Sequence, residues 1–351
     1  WVDLCIVIAH PWWAPSKVFS LPICMRLYRN RQGLTKGKNK KAKRPTNAQK
    51  QAASNRTKQA VAKKKQTKAN AKENRKGSET PHKTRPELMA EMITLVAAWF
   101  PDRKFILVVD SLYSGQSVLS KMPTSFDLIG PVHPKAALYH PAPEETGTRR
   151  GPRRKKGERL ADTKSWEKDS SKWSTHHFDQ YGLHGSLQTK TKTGLYYKAG
   201  NDRLLRFVLS RDTVGDRPTR IFYSTDVNMS ARKILSLFSF RWSIEVTHFD
   251  CKQHLGLEDA ASRKEKAVQR TAPMAMFLHS LTVLWYATDG HNDFQIPHRP
   301  WYSWKTEPSF ADMLTTLRRK SWEDKLSDVS LDTTQRDIDR NLLTYLATLA
   351  G

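Results

Sequence analysis

Arg241, Glu245 and Lys252 follow one another at spacings of four and seven in the stretch Phe238-Ser-Phe-Arg-Trp-Ser-Ile-Glu-Val-Thr-His-Phe-Asp-Cys-Lys252. At about 100° per residue of helix, Phe238, Arg241, Glu245 and Lys252 fall within about 60° of one another. A surface helix ordinarily turns an apolar stripe toward the core. Here one stripe carries an aromatic ring, a guanidinium, a carboxylate and an ammonium. A carboxylate held between two cations suits a site for a metal ion and the phosphates around it. The plain alternative is an Arg241–Glu245 pair one turn apart on a solvated face, worth about 0.2–0.5 kcal/mol. A second acid, Asp110, closes the apolar run Phe105-Ile-Leu-Val-Val109. Ligands of open α/β sheets gather at the carboxyl ends of strands, although an aspartate there also serves as a turn residue or helix cap.

The stretch resembles the tyrosine-x2-arginine-x3-glutamate-x6-lysine signature of DDE transposases from bacterial insertion sequences. Arg241, Glu245 and Lys252 match it in identity and spacing, and Phe238 stands where that family has tyrosine. The continuation Gln253-His-Leu-Gly-Leu-Glu258 is similar to the family's, and Val108-Val-Asp110-Ser-Leu-Tyr-Ser-Gly115 resembles the segment around its second catalytic aspartate. The resemblance implies an α/β, ribonuclease-H-like mixed sheet flanked by helices, with a β-rich insertion and a helical C-terminal region. It implies three carboxylates holding two Mg²⁺ (or Mn²⁺) ions about 4 Å apart for in-line phosphoryl displacement. Hard cations of this kind prefer oxygen ligands. Asp110 and Glu245 would then be the second and third metal ligands and catalytic carboxylates, with Arg241 and Lys252 gripping DNA phosphates. The implied activity is nicking at element ends followed by strand transfer, on double-stranded DNA at transposon ends and target, by a homodimer in the bacterial cytoplasm on the nucleoid.

The elements that must hold these residues divide the chain. Residues 1–35 read as partial core, with a buried strand at Trp1–Ala9, a turn at Pro11–Pro15 and a helix over Ser16–Arg29. Residues 36–80 read as a disordered lysine-rich insertion. Residues 81–138 read as ribonuclease-H-like core: a helix after Pro86, a central strand at Phe105–Val109, a short helix at Gln116–Met122 and a strand at Phe126–Val132 that Gly130-Pro131 ends or edges. Residues 139–218 read as the β-rich insertion, 219–260 as core with the Glu245 helix capped at Ser230, and 261–351 as helical, including Asp337–Leu349.

In the family the first aspartate lies on the first strand of the sheet. Trp1–Arg29 resembles sequence that follows that strand, so the chain reads as an N-terminally truncated copy with little or no cleavage of its own. Asp3 and Asp226 are weaker candidates for the third carboxylate.

Composition narrows the partner. The 351 residues carry a formal charge of +26, which points to a polyanion. Lys36–Lys76 alone holds sixteen Lys or Arg against Glu73, a density suited to phosphate contact and counterion release. Arg153, Arg154, Lys155 and Lys156 form a second basic run that reads as a DNA grip. No apolar run is long enough to span a bilayer, and Cys5, Cys24 and Cys251 show neither metal spacing nor a disulfide framework. His176, His177 and His184 read as a polar loop rather than a zinc site, and Trp166 and Trp173 as packing residues rather than base-stacking ones. Two other readings stay open: a non-catalytic DNA-binding relative of a transposase, and a basic RNA-binding protein. The acids at 110 and 245 argue against the last, because binding phosphate requires no carboxylates.

Overall fold

The computed structural model describes residues 1–29, 82–144, 153–180, 183–213, 218–259, 264–294 and 303–327. The lysine-rich segment and Asp337–Leu349 lie outside them. Trp1–Leu27 and the described residues from Arg85 onward belong to one compact unit.

Two sheets organise that unit. β1 (Val2–Ala9) and β2 (Val18–Arg26) make an antiparallel hairpin, with a register irregularity between Leu4 and Cys5. The larger sheet has the order β3-β4-β8-β7-β6-β5, built from β3 (Phe105–Val108), β4 (Phe126–Val132), β5 (Ser174–Gln180), β6 (Leu183–Leu195), β7 (Leu204–Asp212) and β8 (Arg220–Ser224). β3 and β4 run parallel and every other neighbouring pair runs antiparallel. The helices are α1 (Arg85–Trp99), α2 (Gln116–Leu119), α3 (Thr163–Lys168), α4 (Tyr197–Gly200), α5 (Ala231–Phe240), α6 (Ser243–His254), α7 (Glu265–Thr288) and α8 (Phe310–Ser327). This mixed sheet flanked by helices is ribonuclease-H-like.

Strand alternation explains the layers. Ile129, Val208 and Phe222 point to one face, where they pack with Met229, Ala231, Ile234 and Leu235 around α5. Their chain neighbours Leu128, Phe207 and Tyr223 point to the other face and are also fully buried. A strand covered on both sides reads as a continuous apolar run, as these segments do. The hairpin has its own core, in which Leu21 of β2 meets Val283 and Tyr286 of α7 and Phe310, Met313 and Leu314 of α8.

Several expectations change. Ser16–Arg29 is not helical: Val18–Arg26 is strand β2, because pairing with β1 and burial of Val18, Ser20, Leu21 and Cys24 override local propensity. β3 lies at the sheet edge rather than its centre, and Ile106 is exposed there. Gly130 and Pro131 lie inside β4. The β3–β4 register ends at Ile129, so Pro131 pairs with β8 alone and its missing N–H breaks no ladder on the other side. The histidines fall on strands rather than in a loop, His176 and His177 on β5 and His184 on β6. The segment that carries them continues the main sheet through β7. Among the described residues no helix is long and apolar enough to cross a membrane.

Candidate active site

Asp110 lies just past the end of β3. The strand's hydrogen bonding runs one residue further, Val109 N donating to Ile129 O at 3.0 Å. The chain then turns: Asp110 Oδ1 accepts from Leu112 N at 2.8 Å, and Tyr113 N donates to Asp110 O at 3.3 Å. Asp110 is exposed, with this turn as its local partner. Two contacts hold the loop down. Tyr223 Oη donates to Ser114 O at 2.7 Å from a fully buried position, and Ser114 sits over Gly130, where a Cβ would lie 2.8 Å from the Ser114 Cβ. Glycine at 130 is therefore what lets the Asp110 loop close onto the sheet. The Tyr113 phenol is pushed up, first by burial and then by the fields of Asp110 and Asp3, with Arg85 opposing.

Glu245 is reached through a break in the helix. Phe238 lies in the last turn of α5, where it packs on Phe222 with ring centroids 4.6 Å apart. Arg241 and Trp242 form a tight turn, and Glu245 falls in the first turn of α6. The single helix expected over 238–252 is thus two. The backbone switches to i→i−3 bonds, Arg241 N to Phe238 O and Ile244 N to Arg241 O, both at 3.3 Å. The hydroxyls of Ser239 and Ser243 bond to the carbonyls of Ser236 and Phe240, each at 2.7 Å, and such back-bonding bends helices. Arg241 and Trp242 keep helical dihedrals, so Arg241 Nη1 still reaches Glu245 Oε1 at 3.0 Å. Both side chains remain open to solvent, 28% and 42% exposed. Lys252 does not complete the triplet, because its Nζ pairs with Glu258 Oε1 at 2.6 Å.

The opposite face of α6 is fixed to the hairpin. Thr247 Oγ1 donates to Ser20 O at 2.8 Å, and the Ser243 and Ser20 hydroxyls bond to each other. Cys251 is fully buried against α7. These contacts set the rotation of α6 and so turn Glu245 outward, where it meets Arg241 of the preceding turn.

A pairing that the sequence alone did not disclose lies beside this face. Asp3 Oδ2 on β1 bonds His248 Nε2 at 2.9 Å, with the Asp3 side chain 7% exposed and its Oδ1 buried without a hydrogen-bond partner. His248 is one turn beyond Glu245, so the two share α6. The only prior signal was an acid inside an otherwise apolar strand. Asp226 has a turn role: its Oδ1 accepts from Asn228 N at 2.9 Å, just before Ser230 caps α5 by accepting from Lys233 N.

The remaining basic candidates divide. Arg153, Arg154 and Lys155 are exposed, and Lys156 is half-buried with its Nζ 3.9 Å above the Tyr139 ring. Trp166 is buried in the packing around β6. Sequence reasoning missed Lys190, which is buried under α3. Its Nζ donates to the carbonyls of Trp166, Glu167 and Asp169 and to Asp169 Oδ1 at 2.7 Å, closing the C-terminus of that helix.

Asp110 and Glu245 supply the right kind of donor for a hard divalent ion, carboxylate oxygen. Their number does not suffice. Among the described residues no three Asp, Glu, His or Cys side chains come together closely enough to hold a metal ion. The residues as arranged therefore do not fit a two-metal centre.

Two families match the sequence. Residues 2–194 match the family described as DDE superfamily endonuclease, which takes in β1 through most of β6 and includes Asp110. Residues 194–288 match the family described as archaeal putative transposase ISC1217, which takes in β7, β8 and the α5–α7 region with Arg241, Glu245 and Lys252. No curated protein matches the chain.

Proposed function

The chain belongs to the DDE superfamily endonucleases, and on that premise we propose that it acts on double-stranded DNA at insertion-sequence ends, by the phosphodiester cleavage and strand transfer of transposition. The observation that carries the reading is the outward face of α6. There Glu245 forms a solvent-open pair with Arg241 of the preceding turn on a chain whose charge of +26 favours a polyanion. Asp110 and Glu245 are the catalytic carboxylates in this reading. Arg241 grips phosphate, as does Lys252 once it leaves Glu258, and the exposed run Arg153–Lys155 extends the grip with Lys156. Members of this superfamily are generally dependent on a divalent metal, and a donor set made only of carboxylates favours Mg²⁺ or Mn²⁺. A homodimer would hold two DNA ends at once. Support for it comes from an apolar stripe on α7, where Met274, Phe277, Leu278, Leu281 and Leu284 are exposed at helical spacing.

One observation favours a second reading. Among the described residues no three Asp, Glu, His or Cys side chains form a group that could hold a metal ion, and the second reading is a chain that binds DNA without cleaving it. A supercoiled plasmid carrying the element's ends, incubated with Mg²⁺ or Mn²⁺, separates the two readings. Nicking that disappears in both Asp110→Asn and Glu245→Gln supports the transposase reading in full. Tight binding without nicking by any version leaves a non-catalytic DNA-binding relative. Binding that ignores salt would remove both, because counterion release makes phosphate-driven affinity fall steeply with salt.

A further inference from the structure

Two neighbouring clefts, one of about 540 Å³ and one of about 450 Å³, are lined by neither Asp110 nor Glu245. They share Lys156 and Tyr197 as walls. The larger is lined by Tyr139, Tyr196 and Tyr197 together with Lys135, Lys156 and Lys198. The smaller adds Arg154 and Lys155, with Glu158 the one acid in either lining. Lys156 Nζ stands between two rings, 3.9 Å from the Tyr139 centroid and 5.2 Å from that of Tyr197.

The walls are built rather than incidental. Tyr139 and Leu195 exchange backbone hydrogen bonds at 2.9 and 2.7 Å, and Gly157 N donates to His140 O at 2.9 Å. A Cβ at Gly157 would lie 2.4 Å from Pro141 O, so only glycine allows the segment carrying Lys156 to come so close. The cleft also connects with the Asp110 loop. The Tyr196 ring contacts the Tyr223 ring at 6.4 Å, and Tyr223 Oη holds Ser114 O.

Planar rings interleaved with ammonium groups match a nucleotide, whose base offers a π-face and whose phosphate offers charge. A cleft of this size takes one such unit, whereas a base pair stacked in a duplex presents neither face. We propose that the Tyr139–Lys156–Tyr197 cleft binds an unpaired nucleotide of a DNA strand. The base stacks on the tyrosine rings, and the Lys156 ammonium, now lying over those rings, moves to the phosphate beside Arg154 and Lys155. This rests on the DNA reading above and adds a strand-specific subsite to it.

The test is metal-free binding, so it does not depend on cleavage. A duplex with a short 3′ overhang carrying 2-aminopurine is compared with the blunt duplex of the same sequence. The overhang is expected to bind tighter and its 2-aminopurine to be quenched. Tyr139→Ala and Tyr197→Ala should each weaken overhang binding by roughly 5- to 150-fold, the usual range for loss of one base–aromatic stack, and leave the blunt duplex within about twofold. Tyr139→Phe and Tyr197→Phe keep the stacking face and should retain the preference even if an alanine variant fails to fold. Equal binding of overhang and blunt duplex, or loss of the preference in the phenylalanine variants, would overturn the proposal. So would displacement of the overhang by micromolar deoxynucleoside monophosphate, which would assign the cleft to free nucleotide. Failure to bind either duplex would instead count against the DNA reading itself.

Discussion

Gly130→Ala tests how the Asp110 loop is held. The added Cβ would lie 2.8 Å from Ser114 Cβ and 3.1 Å from Val109 Cγ2. Carbon atoms in good contact sit about 3.5–4.0 Å apart, so the loop or the strand must yield by roughly 0.7 Å. Neither moves freely. Ser114 O accepts from the buried Tyr223 hydroxyl, and Val109 N is bonded to Ile129 O. Overpacking of this kind costs about 1–3 kcal/mol. Replacing glycine also restricts the unfolded chain, which returns about 0.4–1 kcal/mol. The net loss should be about 1–2 kcal/mol, read as a lowered urea midpoint with an unchanged m value. Ser114→Gly removes the atom that clashes, at its own cost in backbone entropy and in the Ser114 Oγ to Ser111 O bond. The double variant should therefore be more stable than the sum of the singles allows, with a coupling of about 1 kcal/mol. Gly130→Ala within about 0.3 kcal/mol of the parent, or costs that simply add, would refute the claim that Gly130 seats the loop.

Removing the His248 side chain leaves Asp3 buried with neither oxygen hydrogen-bonded, so His248→Ala should cost about 1–3 kcal/mol. His248→Gln, which can still donate, should recover part of that; an unchanged urea midpoint in the alanine variant would show the pair to be idle. Acid sensitivity should appear at Asp312. Burial pushes its carboxyl up, but hydrogen bonds from Lys305 and Ser309 outweigh burial and hold it below its ordinary 3.8. A depressed carboxyl contributes stability that is present above the unfolded value and lost as pH falls through the folded one. The stability gap between the parent and Asp312→Asn should thus be open at pH 7 and close as pH drops below 3.8, and a gap that stayed constant across that range would contradict the assignment.

Local pattern disclosed those parts of the molecule that depend on near neighbours. β4 could be read because an apolar run with both faces covered needs no knowledge of its partners, and the Ser230 cap because its hydroxyl reaches only three residues on. β2 could not. Its leucine, methionine and arginine residues favour helix, and only pairing with β1 and the seat of Leu21 among α7 and α8 make it a strand. The same distinction runs through the candidate site. Arg241 and Glu245 are four residues apart, so their pairing survives even the break between α5 and α6. Asp3 meets His248 across 245 residues, a distance at which neither residue carries a signal of the other.

The face that Glu245 presents is also set from afar. Ser243, Thr247 and Cys251 are the inward positions of α6, spaced four apart, and two of them bond Ser20 of β2. Without that anchor the helix has little amphipathic preference of its own, since phenylalanine, valine and charged residues alternate around it. The hairpin therefore decides which side of α6 meets solvent, and through His248 and Asp3 it touches the helix a second time within a turn of Glu245. A carboxylate aimed by two contacts to a separate sheet is fixed in rotation before any DNA arrives. On this argument, loosening Ser20 or Asp3 should alter what Glu245 faces without touching Glu245 itself.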